Sequence, residues 1–307
     1  MIELYRSLGL TEPEWLALVP ATAVDRLDLA VQLESRGFGA ESLAAFRAAV
    51  EAAPPPERSV YAWALAEALG RAGQDADAVQ VLRAAGAADA GNPELERALG
   101  AALARRNDPE ALEHLRAAVG LMDRGSRTVG WQPFALGGDA RLGRIASALA
   151  GDLDRPVRYR RALAGYLTER RLWDQALPEW RSLVAAEPRD AESRFGLGLT
   201  REGAGAADEA LEAFRAAVEL DPRSARYRRR LAERLWQGEQ YFQAINEWRA
   251  LKEQQPRDVD ARLALGRAYE KVGQPTDAYR EYREVLVLEP AQADAARAVA
   301  RMEGRRR

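Results

Sequence analysis

Cysteine is absent from the 307 residues, and histidine occurs once, as His114. Without thiolates the chain has no disulfide, no cysteine-ligated zinc or iron–sulfur centre and no cysteine nucleophile. With one imidazole it has no site built from two histidines. Lysine is nearly absent too, confined to Lys252 and Lys271. Such arginine and alanine richness is what a GC-rich bacterial genome produces, and reads as coding bias rather than function. No charge dominates: 45 Lys+Arg stand against 47 Asp+Glu, a net charge of -2. That balance gives no global attraction to nucleic acid or to a membrane surface. No run approaches the roughly 18 apolar residues that span a bilayer. The opening Met1-Ile2-Glu3-Leu4-Tyr5-Arg6 lacks the pattern of a secretory signal. As written, the chain reads as cytoplasmic. A periplasmic or extracellular setting would require a signal or membrane part outside this sequence.

What is present is enough apolar material for a continuous core, 47% of residues, in one large or two ordinary domains. It is arranged periodically. Ala176, Ala210, Ala244 and Ala278 lie 34 residues apart, as do Pro188, Pro222, Pro256 and Pro290, and the aromatics Trp180, Phe214, Trp248 and Tyr282. Three registers sharing one period define units 157–190, 191–224, 225–258 and 259–292. Each unit reads as two helices and a turn. In 191–224 a first helix spans Glu192 to Glu202, Gly203-Ala204-Gly205 breaks it, and Asp208 is expected to cap a second helix that Pro222 stops.

This pattern resembles the tetratricopeptide repeat family, whose 34-residue unit has small residues at positions 8 and 20, an aromatic at 24 and Pro at 32. Position 8 here is Ala164, Gly198, Ala232 and Gly266. Arg201 departs from the large or aromatic residue usual at position 11, and Leu183, Leu251 and Val285 exceed the small residue usual at 27. The resemblance covers the four units closely. A looser version runs through 23–56, 59–92 and 93 to about 122. It implies an all-α, right-handed solenoid of about seven helix hairpins in two blocks, because one hairpin cannot bury its own apolar face and must stack.

The resulting division is 1–22 as N-terminal capping helices, including a short helix Glu14–Val19, then 23–122 as three degenerate repeats. Residues 123–156 form an irregular junction with one helix at Asp139–Ala150, 157–292 form four regular repeats, and 293–307 form a cap helix and basic tail. In the junction, Trp131 and Phe134 either plug the gap between blocks or contact a partner.

The resemblance implies a concave groove, lined by positions 2, 5, 9 and 12 of each first helix, that holds a partner segment. Those positions include Arg158, Arg161, Gly165 and Thr168; Glu192, Phe195, Leu199 and Glu202; Arg226, Arg229, Glu233 and Trp236; and Arg267 and Glu270. Arg158, Arg161, Phe195, Arg226, Arg229, Trp236 and Arg267 make a mixed basic and aromatic surface suited to an acidic peptide with an apolar anchor. The same stripe at the N-terminal end is apolar, with Val24, Leu27, Val31, Val60 and Trp63. It is either covered by the N-terminal helices around Trp15 or a second contact patch. A family subset clamps acidic C-terminal tails. Arg161, Arg226 and Arg230 match that clamp, but Gly165 and Gly196 replace its two asparagines, so a cochaperone role is not expected.

Catalytic motifs are missing. Gly196-Leu197-Gly198-Leu199-Thr200-Arg201-Glu202-Gly203 lacks the lysine and spacing of a phosphate loop, and no His-Glu-x-x-His or Gly-x-Ser-x-Gly occurs. His114 reads as a surface or boundary residue. The expectation is a non-catalytic protein-interaction scaffold with no cofactor, no metal, no nucleic-acid partner and no direct membrane insertion. Two alternatives remain open: the repeat part of a bacterial envelope or surface-polysaccharide protein, similar to the tails of O-antigen-ligase-like proteins, or a self-associating, filament-forming structural protein.

Overall fold

A computed structural model describes residues 22–55, 57–124, 141–142, 145 and 156–304. Among these it contains fifteen helices and no strand. The chain divides into two compact units, residues 1–166 and 167–307. The first holds α1 (Ala23–Ser35), α2 (Gly39–Ala52), α3 (Arg58–Arg71), α4 (Asp75–Ala88), α5 (Pro93–Arg105) and α6 (Ala111–Asp123). The division falls within α7 (Pro156–Glu169). The second unit holds α8 (Trp173–Ala186), α9 (Ala191–Gly203), α10 (Ala207–Leu220), α11 (Ala225–Gln237), α12 (Tyr241–Gln254), α13 (Val259–Lys271), α14 (Pro275–Leu288) and α15 (Ala293–Gly304). Within each unit a helix packs on its chain neighbours, pair after pair, which is the architecture of an all-α helical-repeat solenoid. No helix among the described residues is long and apolar enough to cross a membrane.

Local chemistry explains the hairpins. The first helices of three successive pairs are capped by side chains: Asp190, Ser224 and Asp258 accept from the amides of Ser193, Tyr227 and Ala261. The second helices have no such cap. Asp208 therefore corrects the expectation: Ala206 holds the cap position of α10, and Asp208 sits in the first turn, where the helix dipole favours an acid. The turn inside each pair needs one residue in the left-handed region. Gly205 and Gly273 supply it without strain at φ of 84° and 74°, whereas Asn107, Arg171 and Glu239 adopt it at 59°, 58° and 58°. The amide just beyond then closes back on the helix, as in Ala206 to the Arg201 carbonyl at 2.8 Å and Gln240 to the Leu235 carbonyl at 2.9 Å.

The small residues of the repeat lie inside. Ala176, Ala210, Ala244 and Ala278 are completely buried. A Cβ on Gly198 would stand 2.6 Å from the Phe214 ring, and one on Gly266 would stand 2.7 Å from the Tyr282 ring. Each aromatic thus lies flat against the backbone of its partner helix, which outweighs the helix propensity glycine forgoes.

A further register escaped the sequence reading. Arg160, Arg194, Arg228 and Arg262 also recur every 34 residues. Arg194, Arg228 and Arg262 each donate to the carbonyl of the proline that ended the preceding pair: Pro188 at 3.4 Å, Pro222 at 2.8 Å and Pro256 at 2.9 Å. Arg228 and Arg262 also bind carboxylates nineteen residues on, Glu247 at 2.5 Å and Glu281 at 3.1 Å. In the third pair the same place holds Glu96 and His114 Nδ1, 2.7 Å apart, and His114 is half-buried.

The N-terminal stripe is not an open patch. Val24, Leu27, Val60 and Trp63 are buried and Val31 is half-buried. Glu14–Val19, Trp15, Trp131 and Phe134 lie outside the described residues, as does most of Asp139–Ala150. Of that last stretch, Arg141 pairs with Asp25 at 2.8 Å and Leu142 is buried.

Candidate partner-binding groove

Most arginines of the expected stripe are paired with acids. Arg226 Nη1 binds Glu192 of the preceding pair at 3.0 Å, and Tyr227 donates its hydroxyl to the same carboxylate at 2.5 Å. Burial pushes the Tyr227 phenol up, and its bond to Glu192 adds to the shift. Arg229 pairs with Asp258, Arg230 with Glu202 and Glu233, Arg267 with Asp294 at 2.7 Å and Arg301 with Glu270 at 2.6 Å. Except for the Arg230–Glu233 contact within α11, each of these joins a hairpin to the next element of the stack, which for Arg267 and Arg301 is the single helix α15. Most arginines of the expected basic and aromatic surface thus belong to a ladder of ion pairs between successive elements.

Phe195 is corrected as well. It is only 3% exposed, packed between Phe214 and Tyr227 with ring centroids 5.5 and 4.7 Å away, and it carries the Arg226 guanidinium 4.5 Å above its face. Its role is to stack and aim Arg226, whose side chain stays 60% exposed. Trp236 is half-buried, edge-on to Tyr241 at 4.9 Å and tilted against Trp248 at 5.7 Å.

In the first unit Arg158 is drawn inward. It binds Glu94 at 2.9 Å, and Arg97 binds the same carboxylate at 2.6 Å and Glu67 at 2.7 Å. Glu94 is completely buried. Burial lowers the pKa of Arg158. Burial also opposes the charge on Arg97, but Glu94 and Glu67 outweigh it, and the Arg97 pKa is raised. Arg161 is half-buried. Arg158 is thus held by Glu94.

A cleft of about 650 Å³ opens in the second unit where the C-terminal ends of three first helices meet. Thr168, Glu169, Arg171, Trp173, Leu199, Glu202, Arg230 and Gln237 line it. Thr168, Leu199 and Glu202 belong to the expected stripe; Arg171 and Trp173 do not. Gly203 allows the arrangement, since a Cβ there would stand 2.5 Å from the Trp173 indole. The wall is fixed by hydrogen bonds: Trp180 Nε1 donates to Thr168 Oγ1 at 2.8 Å, the hydroxyls of Thr168 and Thr200 are 3.0 Å apart, and Thr200 donates to the Gly196 carbonyl at 2.9 Å. Arg171 has no ion-pair partner among the described residues, and its backbone is left-handed. A signal for it existed: it stands in the 34-residue register of Gly205, Glu239 and Gly273.

Among solved structures, the chain is similar to one titled for functional characterisation of Pseudomonas aeruginosa pilF, with a TM-score of 0.57, 15% identity, and coverage of 81% of this chain and 100% of that one. It is similar to a tetratricopeptide repeat protein from Parabacteroides merdae, with a TM-score of 0.54, 9% identity, and coverage of 92% and 98%. A third is MamA, with a TM-score of 0.51, 16% identity, and coverage of 66% and 94%. At these identities the likeness establishes the fold alone. No curated protein sequence matches the chain. The family model for the tetratricopeptide repeat matches residues 158–225 and 229–296. Together with the buried alanine register and the hairpin stacking, this identifies residues 158–296 as a run of tetratricopeptide repeats within a helical-repeat chain.

Proposed function

We propose that the chain is a non-catalytic scaffold that holds an extended partner segment along the inner stripe of its second unit, from Thr168 to Arg267. The observation that carries this reading is the cleft beside Arg171. An unpaired cation, an indole and Leu199 converge there on a preformed cavity of the size that takes a bulky side chain. An apolar anchor of the partner packs on Trp173 and Leu199. Acidic residues next to it meet Arg171, then Arg226 and Arg267, which are 60% and 55% exposed and keep unused donors. Arg229 contributes less, being held by Asp258. The four regular hairpins of 157–292 form the working surface.

Random-peptide display against the whole chain tests this. Selected peptides are expected to carry one large apolar residue flanked by Asp or Glu. They should lose binding to a chain with Arg171→Glu and Arg226→Glu whose helical circular dichroism is unchanged. Peptides without acidic residues, or equal binding to the double variant, would overturn the reading.

A further inference from the structure

We propose that the outer surface of the first unit carries a second binding site, for an apolar molecule bearing one anionic group, independent of the groove. The site is a cleft of about 580 Å³ among α2, α3 and α4, walled by Val50, Ala62, Leu65, Val81 and Ala85, with Arg58 on its rim.

The repeat shows why the cleft is open. In two of the regular hairpins this notch is filled by an arginine clamp, Arg228 with Glu247 and the Pro222 carbonyl and Arg262 with Glu281 and the Pro256 carbonyl, and in a third Arg194 reaches the Pro188 carbonyl across from Ala213. The first pair uses Arg26, which donates to the Ala48 carbonyl at 3.1 Å, and the third uses Glu96 with His114. In the second pair the two clamp positions, nineteen residues apart, are Ala62 and Val81. The charged filling has been replaced by two short apolar side chains. The connection before it is also longer, five residues between Ala52 and Arg58 where the regular pairs use four. Volume that a guanidinium and a carboxylate occupy elsewhere is here empty and apolar.

Size and charge identify the ligand class. The volume suits a small organic molecule rather than a helix, and the lining is apolar with few polar groups. Arg58 is exposed, lines the cleft and, among the described residues, donates from Nη2 to the Ala53 carbonyl at 3.2 Å, which leaves its other nitrogens as donors for an anion. The acid on the rim, Asp89, is held by the Asn92 amide at 2.8 Å. An aliphatic or aromatic body fills the cleft, and its carboxylate or sulfonate meets Arg58.

Anilinonaphthalene sulfonate, which has that shape and charge, is the probe. Titrated into the whole chain, it should give a saturable rise in emission with one dye bound. Ala62→Arg with Val81→Glu rebuilds the clamp and should abolish the rise. Arg58→Gln, a surface change that leaves the fold intact, should weaken it about tenfold. Arg171→Glu with Arg226→Glu should leave it unchanged, so that failure here and failure of the groove are told apart. Emission that does not saturate, or that survives both the rebuilt clamp and Arg58→Gln, would mean an adventitious dye and overturn the proposal.

Discussion

Arg228 donates from Nη2 to the carbonyl oxygen of Pro222 at 2.8 Å, six residues back and across the turn between two hairpins. The proline that stops one helix pair thus supplies the acceptor that fastens the next. Arg262 repeats the contact with Pro256 and also reaches Glu281, whose side chain is 2% exposed.

Arg262→Ala should therefore be costly. It leaves Glu281 buried with Lys252 as its one remaining cation, at 2.8 Å. Breaking such a pair costs about 3 kcal/mol. Arg194→Ala should cost about 1 kcal/mol, because Ala213 stands where Glu281 does and no acid is stranded. Urea midpoints of the two variants check the difference.

Glycines in these helices should respond oppositely to a methyl group. Among the described residues nothing lies within 4 Å of a Cβ built on Gly165, so Gly165→Ala should stabilise by about 0.5–1 kcal/mol. Gly198→Ala drives a methyl into Phe214, which is fully buried and cannot yield, and should destabilise by roughly 1–3 kcal/mol. Ala210→Leu should act in the same direction. Thermal melts that rank these variants otherwise would contradict the packing.

Alkaline pH should weaken the fold through its tyrosines. Burial raises the pKa of Tyr227 and Tyr282, and each hydroxyl donates to a glutamate, Glu192 and Glu270. A raised pKa means that folding favours the protonated phenol. The contribution is complete below the unfolded value of 10.0 and is lost as pH climbs above it. Tyr227→Phe with Tyr282→Phe should flatten the fall in urea midpoint between about pH 9 and pH 11.

Arg226 should matter for binding far more than for folding. Its ion pair with Glu192 is largely exposed, and such pairs contribute within about 1 kcal/mol. Arg226→Ala is expected to leave the melting temperature nearly unchanged while weakening capture of acidic peptides, as read by fluorescence anisotropy.

The hairpin, its period and its buried alanines were legible in the sequence, because Ala176, Ala210, Ala244 and Ala278 mark helix contacts internal to one unit. The state of the groove was not. Whether Arg226 is bare depends on Glu192, 34 residues away on another hairpin, and Arg229 and Arg267 find their acids at offsets of 29 and 27. Phe195 reads as a surface aromatic until Tyr227 and Arg226 of the next hairpin cover it. Such relations come from stacking geometry, which a single unit's pattern does not encode. The arginine register Arg160, Arg194, Arg228 and Arg262 was in plain view. Its meaning required the proline carbonyl, a backbone acceptor that no side-chain pattern displays.

Arg171 occupies a backbone angle that the sister turns at 205 and 273 give to glycine. Replacing it with glycine would relax the hairpin by about 1 kcal/mol and remove the unpaired cation from the cleft. Robustness and the proposed recognition oppose each other at that single dihedral, and engineering the protein toward its own consensus would harden the fold at the expense of the cation that the cleft offers.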